Sequence, residues 1–444
     1  MISRREFLAA SLLAGLGAGL PLNARAASAK AKIVVIGGGV GGSTFAKYIK
    51  RKAPEVDVTI IEQNPIYIRP YGSSEVLNGH IEMSDLEVSY DALKSKYGVN
   101  VVIDKAIDLD RAARVVTTAS GARFPFDRLV VSPGIDLMYD RVEGYSREIA
   151  ETVVPSGWIP GSQTALLGEQ IKAMPQGGTF LIVSPPNPYR CPPGPYERAA
   201  LVAEWMQRYN PTGKVIITDP KNEFVTGPDM RLGWNRMYGY DIPLDLLDGM
   251  PEDIIEHNKP GVLEWVRGKD GGTALSLDAK NMTVETVAGR ITADVINIVP
   301  PQKAGKIAQA WGLTDESGWC PIDPYTFESK RVEGVHVLGD STSAGALPKS
   351  GYAANNEAKI AAYAILNLLA NRPVAEPNWE NTCYALAGKE YGFFVVSVYG
   401  IENGEIVAKP KPGFQTLDVS DTKHRLGAVY QQAWVKAFTE DCFA

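Results

Sequence analysis

Two stretches of the chain show the same order of apolar and polar positions. In the first, an apolar run at residues 33–36 precedes a helical segment at 43–52 and a second apolar run at 57–61. In the second, apolar runs at 179–183 and 214–220 enclose another helical segment. Short continuous apolar runs are typical of strands buried on both faces, and their alternation with helices favours parallel sheets. The pattern therefore predicts an α/β fold that contains two such units.

The turn after the first strand is rich in glycine and reads GGGVGG at residues 37–42. Gly37 permits a tight turn, Gly39 lets the backbone approach a pyrophosphate, and Gly42 lets the helix pack closely on the strand. Glu62, twenty residues after Gly42, would accept hydrogen bonds from ribose hydroxyls. Strand, glycines, helix, strand and acid in this order predict a dinucleotide site, with a glycine-rich structural turn as the alternative.

Later segments resemble parts of flavoproteins that carry two dinucleotide domains. Residues 124–136 form a strand and end near Gly134, like the segment that closes the FAD domain of those proteins. Residues 334–342 bring a strand to Gly339 and Asp340, where the aspartate typically contacts the flavin ribityl chain or phosphate; an ordinary strand-end turn is the alternative. The next helix would present Lys349, Gly351 and Tyr352 to the flavin ring. The resemblance implies FAD in the first site and a glutathione-reductase-like fold.

The predicted fold is thus α/β, with two Rossmann-like dinucleotide-binding domains and a C-terminal α+β interface domain. The predicted segments are a signal peptide at 1–26, an FAD-binding domain at 30–154 and 288–370, an inserted NAD-binding-like domain at 155–287, and the interface domain at 371–444.

The inserted domain lacks the glycines of a nucleotide site. After its first strand, the chain reads SPPNP at residues 184–188. Proline has no N–H group to offer a phosphate, and its ring occupies the space that a pyrophosphate would need. We therefore predict that NAD(P)H is not the electron source. Cys191, in a stretch stiffened by further prolines, is the candidate for what the loop does instead.

Composition and charge narrow the class of protein. The chain has 444 residues and a formal net charge of −6, with no run rich in lysine or arginine, so nucleic acid is not an expected partner. Its four cysteines allow three full disulfide pairings. No cluster of cysteine and histidine has zinc or iron–sulfur spacing, and no metal site is predicted.

The N-terminus has the features of a targeting segment. Arg4 and Arg5 precede a modest apolar run at 8–22 and the small-residue motif Ala24-Arg25-Ala26. These features match a twin-arginine signal with a cleavage site and predict a periplasmic protein that is exported folded. The run is short for a membrane span, although an uncleaved anchor helix is an alternative reading. No other run predicts a transmembrane segment in the mature chain.

Three motifs together resemble one family over nearly all of the mature chain. They are RCPPGPYERA at 190–199, CPIDPYTFES at 320–329 and PKSGYAAN at 348–355. The chain resembles the flavoprotein subunit of flavocytochrome c sulfide dehydrogenase, which is related to the sulfide:quinone oxidoreductases. This resemblance implies a redox-active pair, Cys191 and Cys320, beside the flavin, and acid/base work by Glu197. A structural disulfide and a carboxylate favoured by a helix start are the alternatives.

The resemblance also implies substrate, partner and acceptor. The expected function is oxidation of sulfide to sulfur or polysulfide with transfer of electrons to a c-type cytochrome subunit. Alternatives are a flavoprotein acting on protein-bound persulfide, a sulfide:quinone oxidoreductase, and a non-catalytic accessory flavoprotein. Where the family places a cysteine that binds FAD covalently, this chain has Arg69-Pro70, so we expect non-covalent FAD. Cys383 and Cys442 are left open as free thiols or a second disulfide.

Overall fold

The computed structural model describes residues 31–256, 258–410 and 420–444, so the predicted signal peptide lies outside the described residues. The strands in these ranges are β1 (Lys32–Ile36), β2 (Asp57–Glu62), β3 (Tyr67–Ile68), β4 (Glu87–Val88), β5 (Asn100–Ile103), β6 (Ala106–Asp110), β7 (Val115–Thr118), β8 (Arg123–Pro125), β9 (Arg128–Val131), β10 (Ile135–Leu137), β11 (Thr179–Val183), β12 (Lys214–Thr218), β13 (Leu263–Val266), β14 (Ala274–Asp278), β15 (Thr283–Thr286), β16 (Gly289–Thr292), β17 (Val295–Ile298), β18 (Gln302–Ala304), β19 (Cys320–Pro321), β20 (Val335–Val337), β21 (Thr342–Ser343), β22 (Trp379–Gly388), β23 (Tyr391–Glu402) and β24 (Glu405–Ala408).

The α-helices of the described ranges are α1 (Val40–Lys52), α2 (Ser74–Leu77), α3 (Asp91–Tyr97), α4 (Arg147–Thr152), α5 (Ser162–Lys172), α6 (Gly194–Tyr209), α7 (Gly227–Tyr238), α8 (Glu252–Glu256), α9 (Lys306–Ala310), α10 (Gly351–Leu369) and α11 (Asp421–Phe443).

The first sheet includes β1, the strand that precedes the glycine-rich turn. Its strand order is β20-β9-β1-β2-β5, and the strands are parallel. Four of the five residues of β1 are buried, which is why its sequence is a continuous apolar run rather than an alternation. Helix α10 packs against α1. The predicted α/β class is confirmed, and α1 begins three residues earlier than the predicted helix.

The second sheet has the order β13-β12-β11-β17 and is also parallel. Strand β17 pairs with β11 through Phe180 and Val295. The predicted inserted domain ended at residue 287, which was too early, because β17 lies after that boundary and completes this sheet. A short apolar run near a domain boundary does not show which sheet its strand will join.

The C-terminal part forms an antiparallel sheet and one long helix. The sheet has the order β22-β23-β24, and α11 packs against both β23 and α1. The Lys47 side chain on α1 donates hydrogen bonds to the carbonyls of Glu440 and Asp441 at 2.9 and 3.0 Å. These contacts hold the last helix against the first domain. No helix among the described residues is both long and apolar enough to cross a membrane.

Candidate flavin and sulfur site

A cavity of about 1180 Å³ runs from the glycine-rich turn to the C-terminal segment. Its wall comes from the first domain, from the proline-rich loop after β11, and from β22, β23 and α11. Ligand cavities typically hold ~300–1,000 Å³, so this one has room for a large cofactor and a small substrate.

The glycines of the turn have separate physical reasons. Gly37 has φ +96°, a backbone conformation that residues with a side chain rarely adopt. A Cβ at Gly42 would lie 1.9 Å from the Gly37 carbonyl oxygen, so only glycine lets α1 pack this closely. Gly39 lines the cavity and is the N-cap of α1. Glu62 also lines the cavity and accepts a hydrogen bond from the Gly38 N–H at 2.7 Å.

The same cavity is lined by other predicted flavin residues. Gly134, Gly339, Asp340, Gly351 and Tyr352 all line it. The Oδ1 atom of Asp340 is buried and has no hydrogen-bond partner among the described residues. A buried polar atom without a partner is costly, and a ribityl hydroxyl would satisfy it. The unpartnered carboxylate oxygen and the glycine-rich turn on the same cavity fit FAD.

Lys349 is not among the residues that line the cavity, although its neighbours Pro348 and Ser350 are. Its Nζ donates to the carbonyls of Asp340 and Thr342 at 2.9 and 2.7 Å and lies 3.6 Å from the centre of the Trp319 ring. Burial lowers the pKa of Lys349 to about 8. Lys349 therefore fixes the backbone around Asp340.

The proline-rich loop brings Cys191 to the cavity. Cys191 has φ +60°, an unusual conformation for a residue with a side chain, and its N–H donates to the Lys349 carbonyl at 2.8 Å. A Cβ at Gly194 would lie 3.0 Å from the Cys191 Sγ, so this glycine leaves room for the thiol. Burial raises the pKa of Cys191 to about 12. The loop thus holds a neutral thiol in a strained position on the cavity wall.

The second cysteine of the cavity is Cys383, and Cys320 is not among the lining residues. Cys320 is fully buried at the start of β19, where it pairs with Thr342 of β21. The charge of a Cys383 thiolate would raise the pKa of Cys191, so these two sulfurs lie within electrostatic reach of each other. Of the two cysteines in the predicted pair, Cys191 lines the cavity and Cys320 does not, and Cys383 is the other cysteine on its wall. All four thiols are unpaired in this structure.

Cys383 has polar neighbours that Cys191 lacks. Burial raises its pKa to about 11, while hydrogen bonding to Ser350 opposes that rise. Ser350 is also the N-cap of α10 and accepts a hydrogen bond from the Ala353 N–H. The Cys383 Sγ donates to the Asn381 Oδ1 at 3.7 Å, a contact that favours the neutral thiol.

Glu197 lies on the first turn of α6 and lines the cavity. Its Oε1 accepts a hydrogen bond from the Leu386 N–H at 2.8 Å. Burial raises the pKa of Glu197 to about 8, so the group can gain or lose a proton near neutral pH. This is the property required of a general acid or base.

Asp219, which directly follows β12, has hydrogen-bond partners within the protein. Asp219 is fully buried and corresponds in position to Glu62 of the first unit. It accepts hydrogen bonds from the Tyr196 hydroxyl at 2.5 Å and the Trp265 Nε1 at 3.1 Å, and it pairs with Lys221 at 2.7 Å. Lys221 in turn contacts Ser184 of the proline-rich loop at 3.0 Å. Because the side chain of Asp219 is fully buried, it is not accessible to a ligand.

Sequence reasoning missed three groups of the cavity wall. The sequence does not decide whether Cys383 is a free thiol or part of a disulfide, and it does not indicate a role for Glu75. The aromatic residues of the tail are more typical of a core than of a cavity wall. Trp434 and Phe438 line the cavity and stack with ring centroids 4.9 Å apart. Only the spacing of Gln431, Trp434 and Phe438 on one helix face could have indicated a shared surface.

The fold and the site together define a flavoprotein built on two dinucleotide-type domains. Residues 31–154 match the family model of pyridine nucleotide-disulphide oxidoreductases. Residues 164–300 match the central region of the "Sulfide dehydrogenase [flavocytochrome c] flavoprotein chain", and residues 375–443 match the model "Flavocytochrome c sulphide dehydrogenase, flavin-binding". The chain belongs to the family of these flavoprotein chains and the sulfide:quinone oxidoreductases, and the predicted cofactor, FAD, is confirmed.

Curated relatives agree with this placement. The mitochondrial sulfide:quinone oxidoreductase of Dictyostelium discoideum is 25% identical over 329 residues, which are 73% of this chain and 67% of that protein. A sulfide dehydrogenase flavoprotein chain of Chlorobaculum thiosulfatiphilum is 38% identical over 37 residues, which are 8% of this chain and 77% of that sequence.

Solved structures share the fold. The sulfide:quinone oxidoreductase of Aquifex aeolicus matches with a TM-score of 0.68 at 18% identity, covering 93% of this chain and 92% of that one. A NAD-dependent persulfide reductase from A. fulgidus matches with a TM-score of 0.57 at 14% identity, covering 90% and 77%.

Proposed function

We propose that this protein is an FAD-dependent sulfide dehydrogenase subunit that uses Cys191 and Cys383 as its redox-active pair. The observation that carries the proposal is the presence of both sulfurs on one cavity with Glu197 and the unpartnered Asp340 oxygen. Family membership and the sulfide-oxidising relatives support the choice of substrate. The pair replaces the predicted pair of Cys191 with Cys320.

The proposed reaction begins when hydrosulfide attacks the Cys191 Sγ of a Cys191–Cys383 disulfide. The S–S bond breaks, Cys383 leaves as a thiolate, and Cys191 carries a persulfide. A second hydrosulfide removes the outer sulfur as HSS⁻ and leaves Cys191 as a thiol. The two cysteines then rejoin, which releases two electrons and one proton. FAD, when bound, accepts the two electrons.

The roles of the side chains follow from their surroundings. Cys383 is the leaving group because hydrosulfide attacks the Cys191 Sγ, and the sulfur that is not attacked departs. Glu197 accepts the released proton, since its raised pKa lies close to neutral pH. Cys191 receives the sulfur because its strained loop exposes it to the cavity.

The electron donor is sulfide rather than NAD(P)H in this proposal. The occupied Asp219 and the prolines of the loop support that assignment. For the acceptor we propose a c-type cytochrome in the periplasm, in line with the flavocytochrome c family models and the predicted twin-arginine signal. A quinone is the second candidate, favoured by the sulfide:quinone oxidoreductase relatives. Non-covalent binding of FAD remains a prediction, which denaturation followed by ultrafiltration of the flavin would check.

The test is an anaerobic titration of the purified yellow protein with sulfide. Sulfide should bleach the flavin, and NADH should not. Cys191→Ser and Cys383→Ser should each slow bleaching at least about 1,000-fold, because nucleophile removal eliminates the exchange step. Cys320→Ser is the matched control and should bleach at the wild-type rate. Normal bleaching in Cys383→Ser, with loss in Cys320→Ser, would overturn the assigned pair.

A second assay identifies the acceptor. The sulfide-reduced protein is mixed with a soluble c-type cytochrome or with a short-chain quinone, and flavin reoxidation is followed. Faster reoxidation by the cytochrome supports the proposal, and faster reoxidation by the quinone overturns its acceptor.

A further inference from the structure

The proposed oxidation releases one proton inside the cavity. Two hydrosulfide ions become one HSS⁻ ion, two electrons and one proton, which balances atoms and charge. A cytochrome accepts electrons alone, so the proton must leave the cavity through the protein or through water. Glu197 can take the proton first, because it is a half-buried group on the cavity wall.

Glu75 is the next titratable group on the same cavity wall. Burial raises the pKa of Glu75, and a hydrogen bond from the Gln431 Nε2 at 3.0 Å opposes that rise. The charge of Glu75 raises the pKa of Glu197, so the two carboxyl groups lie within electrostatic reach. Both residues line the same cavity of about 1180 Å³, in which water can bridge two polar groups.

His80 follows Glu75 closely in the chain and in space. The His80 N–H donates to the Glu75 carbonyl at 2.9 Å. A positive charge on His80 would lower the pKa of Glu75, so the imidazole also lies within electrostatic reach of that carboxyl group. The side chain of His80 is only 9% exposed.

Glu204 continues the series from α6. Its Oε2 lies 3.0 Å from the His80 Nε2 and accepts from the Asn78 Nδ2 at 3.0 Å. Its Oε1 accepts from the Lys389 N–H at 3.0 Å and from the Arg208 guanidinium at 2.9 Å. The Arg208 side chain is 43% exposed, so the series reaches solvent there. Tyr238 of α7 also faces Glu204, and Arg69 faces Glu75.

We propose that Glu75, His80 and Glu204 form a proton-transfer path between Glu197 and the surface at Arg208, a role that rests on the proposed sulfide oxidation. A histidine paired with a carboxylate can exchange a proton at neutral pH, which an arginine–carboxylate pair cannot. A purely structural ion pair between α6 and the loop after α2 is the competing role. The three residues are positioning residues in proton transfer and do not touch the sulfur.

The experiment measures proton release and electron flow together. FAD-loaded protein is mixed anaerobically with sulfide and a soluble cytochrome, and a pH-indicator dye reports protons in the bulk solution. His80→Gln keeps a hydrogen-bond donor toward Glu204 but cannot titrate, and Glu204→Gln removes the paired carboxylate. Each should delay proton release at least about 10-fold relative to cytochrome reduction in the first turnover. Glu264→Gln, which removes an exposed carboxylate of the second domain, is the control.

Rescue separates proton transfer from structure. His80→Ala should regain proton release when imidazole is added, whereas a structural role would give loss of thermal stability without rescue. Wild-type proton release in both His80→Gln and Glu204→Gln would overturn the path. A wild-type protein that sulfide cannot bleach would instead contradict the proposed function, so the two failures are distinguishable.

Discussion

The two dinucleotide-type units of this chain share a backbone plan but differ in how their acids are used. Each has a strand, a loop, a helix and a parallel second strand that ends at an acidic residue. Glu62 of the first unit lies on an open cavity. Asp219 of the second unit is fully buried and already has three partners. An acid at the end of the second strand therefore indicates a nucleotide site only if the folded chain leaves its side chain on an open cavity.

The loops explain why the units diverged. Glycines of the first loop leave backbone N–H groups and space for phosphates. Prolines of the second loop offer neither, and the loop instead carries Cys191 to the cavity of the first unit. Helix α6, which would face a pyrophosphate in a working nucleotide domain, presents Glu197 to the same cavity. The second unit has thus become part of the wall of the flavin site.

Removal of Asp219 should have the largest effect. Asp219→Ala leaves the Lys221 ammonium buried without its partner, which costs about 3–5 kcal/mol in the free energy of unfolding. Urea unfolding would measure the loss. Glu264→Ala is the control on the same sheet, because its exposed pair with Lys214 is worth about 0–1 kcal/mol. A loss below 1 kcal/mol for Asp219→Ala would show that its partners do not hold the second unit together.

A side chain in the glycine-rich loop of the first unit should have the next largest effect. A Cβ at Gly39 meets only the Tyr67 ring, at 3.5 Å, so Gly39→Val should fold while its side chain competes with the cofactor. We expect FAD affinity to fall about 100-fold, or ~2.7 kcal/mol. Titration of the apoprotein with FAD would measure it by fluorescence quenching. Gly168→Ala on α5 is the control, and equal FAD affinity in the two variants would contradict the assigned site.

The sequence predicted the local parts of this comparison better than the long-range ones. The bounds of β11 match the predicted strand, and the glycine-rich turn lies on the predicted site, because both are set by neighbouring residues. The identity of the second cysteine on the cavity is a long-range feature: the resemblance implied Cys320, and Cys383 lines the wall. It depends on how β22 of the tail packs against α6, and nothing in residue spacing encodes that contact. The prediction relied on resemblance at that point.

Loss of the Tyr196 hydroxyl should have a smaller effect than loss of Asp219. Tyr196→Phe keeps the stacking on Phe224, whose ring centroid lies 3.5 Å away, but removes one donor to the buried carboxylate. We expect about 1.5 kcal/mol of destabilisation, at the low end for hydrogen bonds to charged groups, because Lys221 and Trp265 remain. Urea unfolding beside Asp219→Ala would measure it. A loss equal to that of Asp219→Ala would mean that the hydroxyl alone stabilises the carboxylate.

The effect expected at Glu197, where the two units meet, depends on pH. Burial raises its pKa in the folded protein to about 8, whereas in the unfolded chain a glutamate titrates near 4.3. Between these values the folded state holds a proton that the unfolded state has lost, so stability falls as pH rises through this window.

Glu197→Gln removes that dependence, because a glutamine is neutral at every pH and its oxygen can still accept from the Leu386 N–H. At pH 9 the variant should melt about 1–3 °C above the wild type, and at pH 4 the two should melt together. Thermal unfolding across this range, with Glu264→Gln as the control, measures the difference. A constant difference at all pH values would contradict the raised pKa. A difference that grows toward pH 9 would show that the second unit holds the Glu197 carboxyl group in an environment that favours its neutral form.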